Sequence, residues 1–105
     1  MEDRKFPRFP VVGDVIFSSG TIQGQGRLDN LSREGAAIVS ETLVPSGDYL
    51  SLKITIANHQ GAIEADLAPV RWVRGHQFGV EFIRIQPTSQ QTLRHALDAL
   101  SPPHR

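Results

Sequence analysis

The sequence predicts a mainly β fold, a small antiparallel six-stranded β-barrel with an extended N-terminal arm and one C-terminal α-helix. Three observations support this. Short runs of alternating apolar and polar residues recur at roughly ten-residue spacing. Glycine- or proline-bearing turns such as Pro45-Ser46-Gly47-Asp48 and Arg74-Gly75-His76 separate them. Helical periodicity occurs in one place only, near the C-terminus. At 105 residues the chain has the length of one domain.

Residues 1–10 carry Pro7 and Pro10 without a consistent period, and read as a flexible arm ahead of a single barrel domain at 11–105. Val11–Phe17 is the first apolar run. In Thr21–Asp29, Ile22, Gly24, Gly26 and Leu28 alternate with polar residues, the period of a half-buried strand. Asn30–Gly35 reads as a polar loop and Ala36–Val39 as a buried strand. Leu50, Leu52, Ile54 and Ile56 alternate with Ser51, Lys53 and Thr55, the strongest strand signal in the chain. Ile63, Ala65 and Leu67 continue the pattern. A slip at Pro69 then places Val70 and Trp72 in the other phase, as a bulge or edge position does. Phe78, Val80 and Phe82 form the last strand. Thr88-Ser89-Gln90-Gln91 fits a capping box, and Leu93, Ala96, Leu97 and Leu100 stand at helical spacing, giving a helix over about residues 88–100.

Eleven basic and eleven acidic residues give zero formal net charge, which argues against binding long nucleic acid in bulk. The absence of cysteine excludes disulfides, thiolate catalysis and cysteine-based metal sites. His59, His76, His95 and His104 are scattered without metal-ligand spacing, and no nucleophile elbow or phosphate-cradling loop occurs, so no enzyme is expected. No run approaches the ~18 apolar residues of a membrane span, and the N-terminus lacks the apolar run of a signal peptide. The expected location is the cytoplasm, without direct membrane insertion.

Nine of the eleven basic residues are arginine, the side chain that forks onto phosphate and stacks on rings. Two of these, Arg4 and Arg8, stand four apart in the arm, where Pro7 disfavours a helix. A second polar segment, Asn30-Leu31-Ser32-Arg33-Glu34-Gly35, combines an amide, a hydroxyl and a glycine that permits positive φ or a close backbone approach. Its plain alternative is an Asx or Ser turn between strands. Chance gives roughly 0.7 Arg-x3-Arg pairs in such a chain, but only roughly 0.05 matches to [DN]-x-S-x2-G. Asp29 stands three residues before Ser32 rather than two, and so lies outside that pattern.

Arg4-x3-Arg8 followed by Asn30-x-Ser32-x2-Gly35 resembles the two-part signature of PilZ domains, bacterial small barrels that bind the second messenger cyclic di-GMP. The likeness extends to the strand rhythm, the Phe78-Gly79-Val80-Glu81-Phe82 strand and the closing helix. It implies a cyclic di-GMP receptor, in which Arg4 and Arg8 take phosphate and guanine. Asn30 and Ser32 then contact base or phosphate, and Gly35 allows close approach. Cyclic di-GMP presents two phosphates and two guanines, and arginine serves both. It bridges phosphate oxygens, forks onto guanine O6 and N7, and stacks over rings. Trp72 and Arg74, of one strand parity, are secondary candidates for a stacking face and a phosphate partner; the plain alternative has Trp72 plugging the barrel. Ordering of the arm on binding would pass the signal to a downstream protein partner. The alternative is a PilZ-like adaptor that binds protein and no nucleotide.

Overall fold

Alternation along the chain becomes a wall with one face in and one face out. In the computed structural model, which describes residues 7–100, eight strands and one helix follow in the order β1 (Phe9–Pro10), β2 (Gly13–Ser18), β3 (Gln23–Leu31), β4 (Gly35–Ser40), β5 (Tyr49–Ile56), β6 (Ala62–Arg74), β7 (Gln77–Glu81), β8 (Arg84–Ile85) and α1 (Pro87–Leu100). All pairings are antiparallel. The order β3-β2-β5-β6-β7-β4 closes through a β3–β4 ladder into a six-stranded barrel, with the two-residue strands β1 on β3 and β8 on β6. Closure leaves the six main strands without an open edge.

β5 shows the cause most simply. Leu50, Leu52, Ile54 and Ile56 are buried, while Tyr49, Ser51, Lys53 and Thr55 are exposed. The inward set joins Val15 and Phe17 of β2, Leu28 and Leu31 of β3, Ala36 and Ile38 of β4, and Phe78 and Val80 of β7 in one core. At its centre Phe17 and Phe78 meet edge to face, with ring centroids 5.3 Å apart at 80°, a favoured aromatic geometry.

Two strands depart from simple alternation. The end of the strand expected over Thr21–Asp29 moves, since β3 continues through Asn30 and Leu31, and the polar loop shrinks to the residues between Leu31 and Gly35. Leu31 is fully buried, and its burial draws Asn30 into the ladder. In β6 the slip expected at Pro69 is instead two slips. The first lies between Ala65 and Ala68, the second between Val70 and Trp72, and Pro69 itself pairs with Tyr49. The second slip returns Trp72 to the outside. It is half-buried there and absent from the core cluster, so neither the shared phase with Val70 nor the barrel-plug reading holds.

The helix begins at Pro87, which suits a first helical position whose N–H has no intrahelical acceptor. The expected capping box at Thr88–Gln91 is therefore inside the helix. Ser89 is buried instead, where its Oγ accepts from the Glu64 N–H (2.8 Å) and donates to the Ala62 carbonyl (3.2 Å), tying α1 to β6. Leu93, Ala96 and Leu97 then close that side of the core. No helix among the described residues is long and apolar enough to cross a membrane.

Candidate functional site

Arg4 lies outside the described residues. Arg8 is described, and its position is tied to the barrel. Phe9 and Pro10 pair with Leu31 and Asn30 as β1, and Phe9 packs on the core. The expected arm of residues 1–10 thus ends in a strand, which carries Arg8 to the wall. The guanidinium Nη1 donates to Asn30 Oδ1 at 3.1 Å. Its Nε–H is buried and has no acceptor among the described residues.

Register places the other candidates relative to Asn30. Residues directly opposite on paired strands share a face. Pro10 stands opposite Asn30, Asn30 opposite Ala37, Ala37 opposite Gly79, and Gly79 opposite Trp72. One row on the outer face therefore crosses β1, β3, β4, β7 and β6. From Asn30 to Trp72 it spans three strand spacings, about 14 Å. The middle of the row is made of two small residues. A Cβ at Gly79 would overlap the Trp72 indole, so the absence of a side chain lets the ring lie flat across β7. A parallel outer row runs from Arg27 through Val39 and Gln77 to Arg74. Arg74 crosses back over Trp72, its guanidinium carbon 5.4 Å from the ring centroid, a cation–π contact. Arg71, the extra residue of the second β6 slip, lies beside this face and is paired with Glu81 at 2.7 Å.

The Ser32–Gly35 segment has a different part. Ser32 is fully buried. Its Oγ accepts from the backbone N–H of Glu34 and of Gly35, each at 3.2 Å, and faces the Gly35 carbonyl at 3.4 Å. The Ser32 N–H donates to that carbonyl at 2.9 Å. This is the Ser turn anticipated as the plain alternative. Gly35 opens β4 without positive φ. The reason for glycine is close approach of backbone, because a Cβ would overlap the Val80 carbonyl of β7. The motif's serine and glycine thus fix the turn that joins β3 to β4, and Asn30 presents its amide outside.

Reading along the chain missed two contributors. Asp29 is the unpaired residue of a bulge between Leu28 and Asn30, and its Oδ2 accepts from Gln77 Nε2 at 2.9 Å and from Asn30 Nδ2 at 3.3 Å. Gln77, 48 residues away, carries no motif signal, and register alone brings it there. The resulting polar chain runs from Arg8 to Asn30 to Asp29, with Gln77 donating from β7.

The described residues thus form a closed six-stranded antiparallel barrel that carries Arg8 beside Asn30 on its outer wall. The family model of the PilZ domain matches residues 2–99, nearly the whole chain, and the protein belongs to that family. Comparison with curated proteins found no match. Among solved structures, the fold is similar to the Bacillus subtilis inhibitor of motility, MotI/DgrA, with a TM-score of 0.73 and 25% identity, covering 93% of this chain and 53% of that one. It is also similar to Escherichia coli YcgR in complex with c-di-GMP, with a TM-score of 0.77 and 15% identity, covering 92% of this chain and 45% of that one. The chain thus spans about half the length of these two proteins. The isolated PilZ domain of YcgR with c-di-GMP matches with a TM-score of 0.61 and 16% identity, covering 94% of this chain and 92% of that one.

Proposed function

We propose that the protein is a cyclic di-GMP receptor whose ligand lies along the outer row between Arg8 and Trp72. The observation that carries this reading is Arg8. It is held beside Asn30 on the barrel wall, with one buried N–H that lacks an acceptor among the described residues. An unmet buried donor costs about 1–3 kcal/mol. A guanine O6 or N7, or a phosphate oxygen, relieves that cost with a charge-assisted bond.

Arg4, four residues earlier, supplies a second guanidinium for the opposite side of the ligand. Trp72 offers its ring for stacking, and Arg74 adds positive charge above it. Ser32 and Gly35 act through the turn they shape. Closure of the segment that holds Arg4 over the nucleotide alters the surface shown to a downstream protein partner, which is how the domain transmits the signal. No group in this scheme performs covalent chemistry.

Calorimetric titration with cyclic di-GMP tests the reading. Saturable binding by the wild type, weakened at least ~30-fold in Arg8→Ala, is expected for loss of one side of a desolvated charged contact. Absence of binding by the folded wild type would overturn the receptor reading in favour of the nucleotide-free adaptor.

A further inference from the structure

Away from the outer row, α1 borders a groove of about 580 Å³. Two pairs of helix residues four apart, Leu93 with Leu97 and Arg94 with Asp98, lie side by side along it. Ile83, between β7 and β8, and Arg33, in the turn between β3 and β4, line the groove from the barrel. Leu93 and Leu97 are buried and give it an apolar floor, while Ile83 is 50% exposed. Arg33, Arg94 and Asp98 are exposed. Arg94 and Asp98 make no ion pair with each other, and neither side chain has a polar partner among the described residues.

This arrangement points to a kind of occupant. Small-molecule sites converge a few precisely placed polar groups within an apolar pocket. Here the charged groups are long, exposed side chains around an apolar middle, which is the anatomy of a contact between proteins, where arginine is also enriched. Two positive charges against one negative leave the groove net positive, in a chain whose formal charge is zero. A second copy meeting the groove about a two-fold axis would set this positive patch against itself. A segment that carries carboxylates beside an apolar side chain has the complementary charge.

We propose that the groove is a docking site for an acidic segment of another protein with an apolar anchor. The anchor covers Ile83 and the floor made by Leu93 and Leu97, and a carboxylate of the segment meets Arg94. The site stands apart from the receptor reading, because Arg8, Asn30 and Trp72 do not line it.

The test pans a phage-displayed library of random dodecapeptides against the wild type. An enriched peptide is then synthesised and titrated by fluorescence anisotropy into wild type, Arg94→Glu and Ile83→Asp. Circular dichroism monitors the fold of each, and both substituted positions are exposed. The enriched peptides should carry Asp or Glu beside Leu, Ile or Phe. Each substitution should weaken the synthesised peptide by about 10-fold or more. Wild-type binding should also weaken as salt rises, because exposed charges are screened. No enrichment, enriched peptides without acidic residues, or undiminished affinity in either folded variant would overturn the assignment. Dimerisation of the wild type in sedimentation velocity, abolished by Ile83→Asp, would overturn it by making a second copy the occupant.

Discussion

Gly35→Ala separates a glycine that the ligand needs from one that the barrel needs. Gly35 begins β4 opposite Glu81, and an added Cβ would overlap the Val80 carbonyl. Relief requires a movement of about 1 Å or more between the β4 and β7 backbones, because non-bonded atoms settle near ~3.5 Å. That movement strains two neighbouring bonds, the Ser32 N–H to the Gly35 carbonyl at 2.9 Å and the Phe82 N–H to the Glu34 carbonyl at 2.8 Å. Overpacking of a tight site destabilises by ~1–3 kcal/mol, and weakening two backbone bonds adds about 1 kcal/mol. The expected loss is therefore about 2–4 kcal/mol, or roughly 10–25 °C in Tm for a domain near 100 residues. Urea unfolding and a thermal melt, each without nucleotide, measure it. Gly20→Ala is the control, since a Cβ there meets nothing within 4 Å and its φ is ordinary. It should change stability by less than ~0.5 kcal/mol. If Gly35→Ala melted with the wild type yet bound cyclic di-GMP poorly, the glycine would serve the ligand and the packing argument would be wrong.

Other substitutions divide the same segment by role. Ser32→Ala removes the acceptor for two backbone N–H groups inside a buried turn and should lower stability by ~1–3 kcal/mol in urea unfolding; unchanged stability would return Ser32 to the ligand. Arg8→Ala should cost less than ~1.5 kcal/mol of stability while weakening nucleotide binding by ~2–5 kcal/mol by calorimetry. Ser89→Ala should lower stability by about 1–3 kcal/mol, because it leaves the Glu64 N–H without its bond, and should leave nucleotide affinity unchanged. Glu81→Gln, which weakens an exposed pair with Arg71, should change the melting free energy by no more than ~1 kcal/mol.

The chain displays its barrel more plainly than its site. β5 is legible residue by residue because β2 runs beside it in unbroken register, the slip against β6 is taken up by extra residues in β6, and its own alternation is uninterrupted. β6 is legible only in part. Ile63 and Ala65 face in as their phase requires, but the slips around Asp66–Leu67 and Arg71 turn the pattern twice. Pro69 drew attention because proline has a known local effect, whereas Arg71 has none and its bulge is imposed by pairing with β7. That is why Trp72 was expected to share the phase of Val70 and lies outside. The same cause hid Asp29. A bulge in β3 has no local signature in Leu28-Asp29-Asn30, and the bond to Gln77 arises from barrel closure. Of the two motifs, Arg8 and the segment beginning at Asn30 meet on one stretch of the barrel wall. The segment's internal division between Asn30, facing outward, and Ser32, buried in the turn, depends on Leu31 entering the core.

An NMR titration of isotope-labelled protein with cyclic di-GMP addresses the outer-row site directly. The expected response is a saturable shift of the Asn30, Ala37 and Gly79 amides, the Arg8 side chain and the Trp72 indole N–H, with Ile16 and Lys53 on the β2–β5 wall unchanged. Shifts that cluster instead in the groove lined by Phe82, Ile85, Leu93 and Leu97, or an absence of shifts at saturating nucleotide, would contradict it.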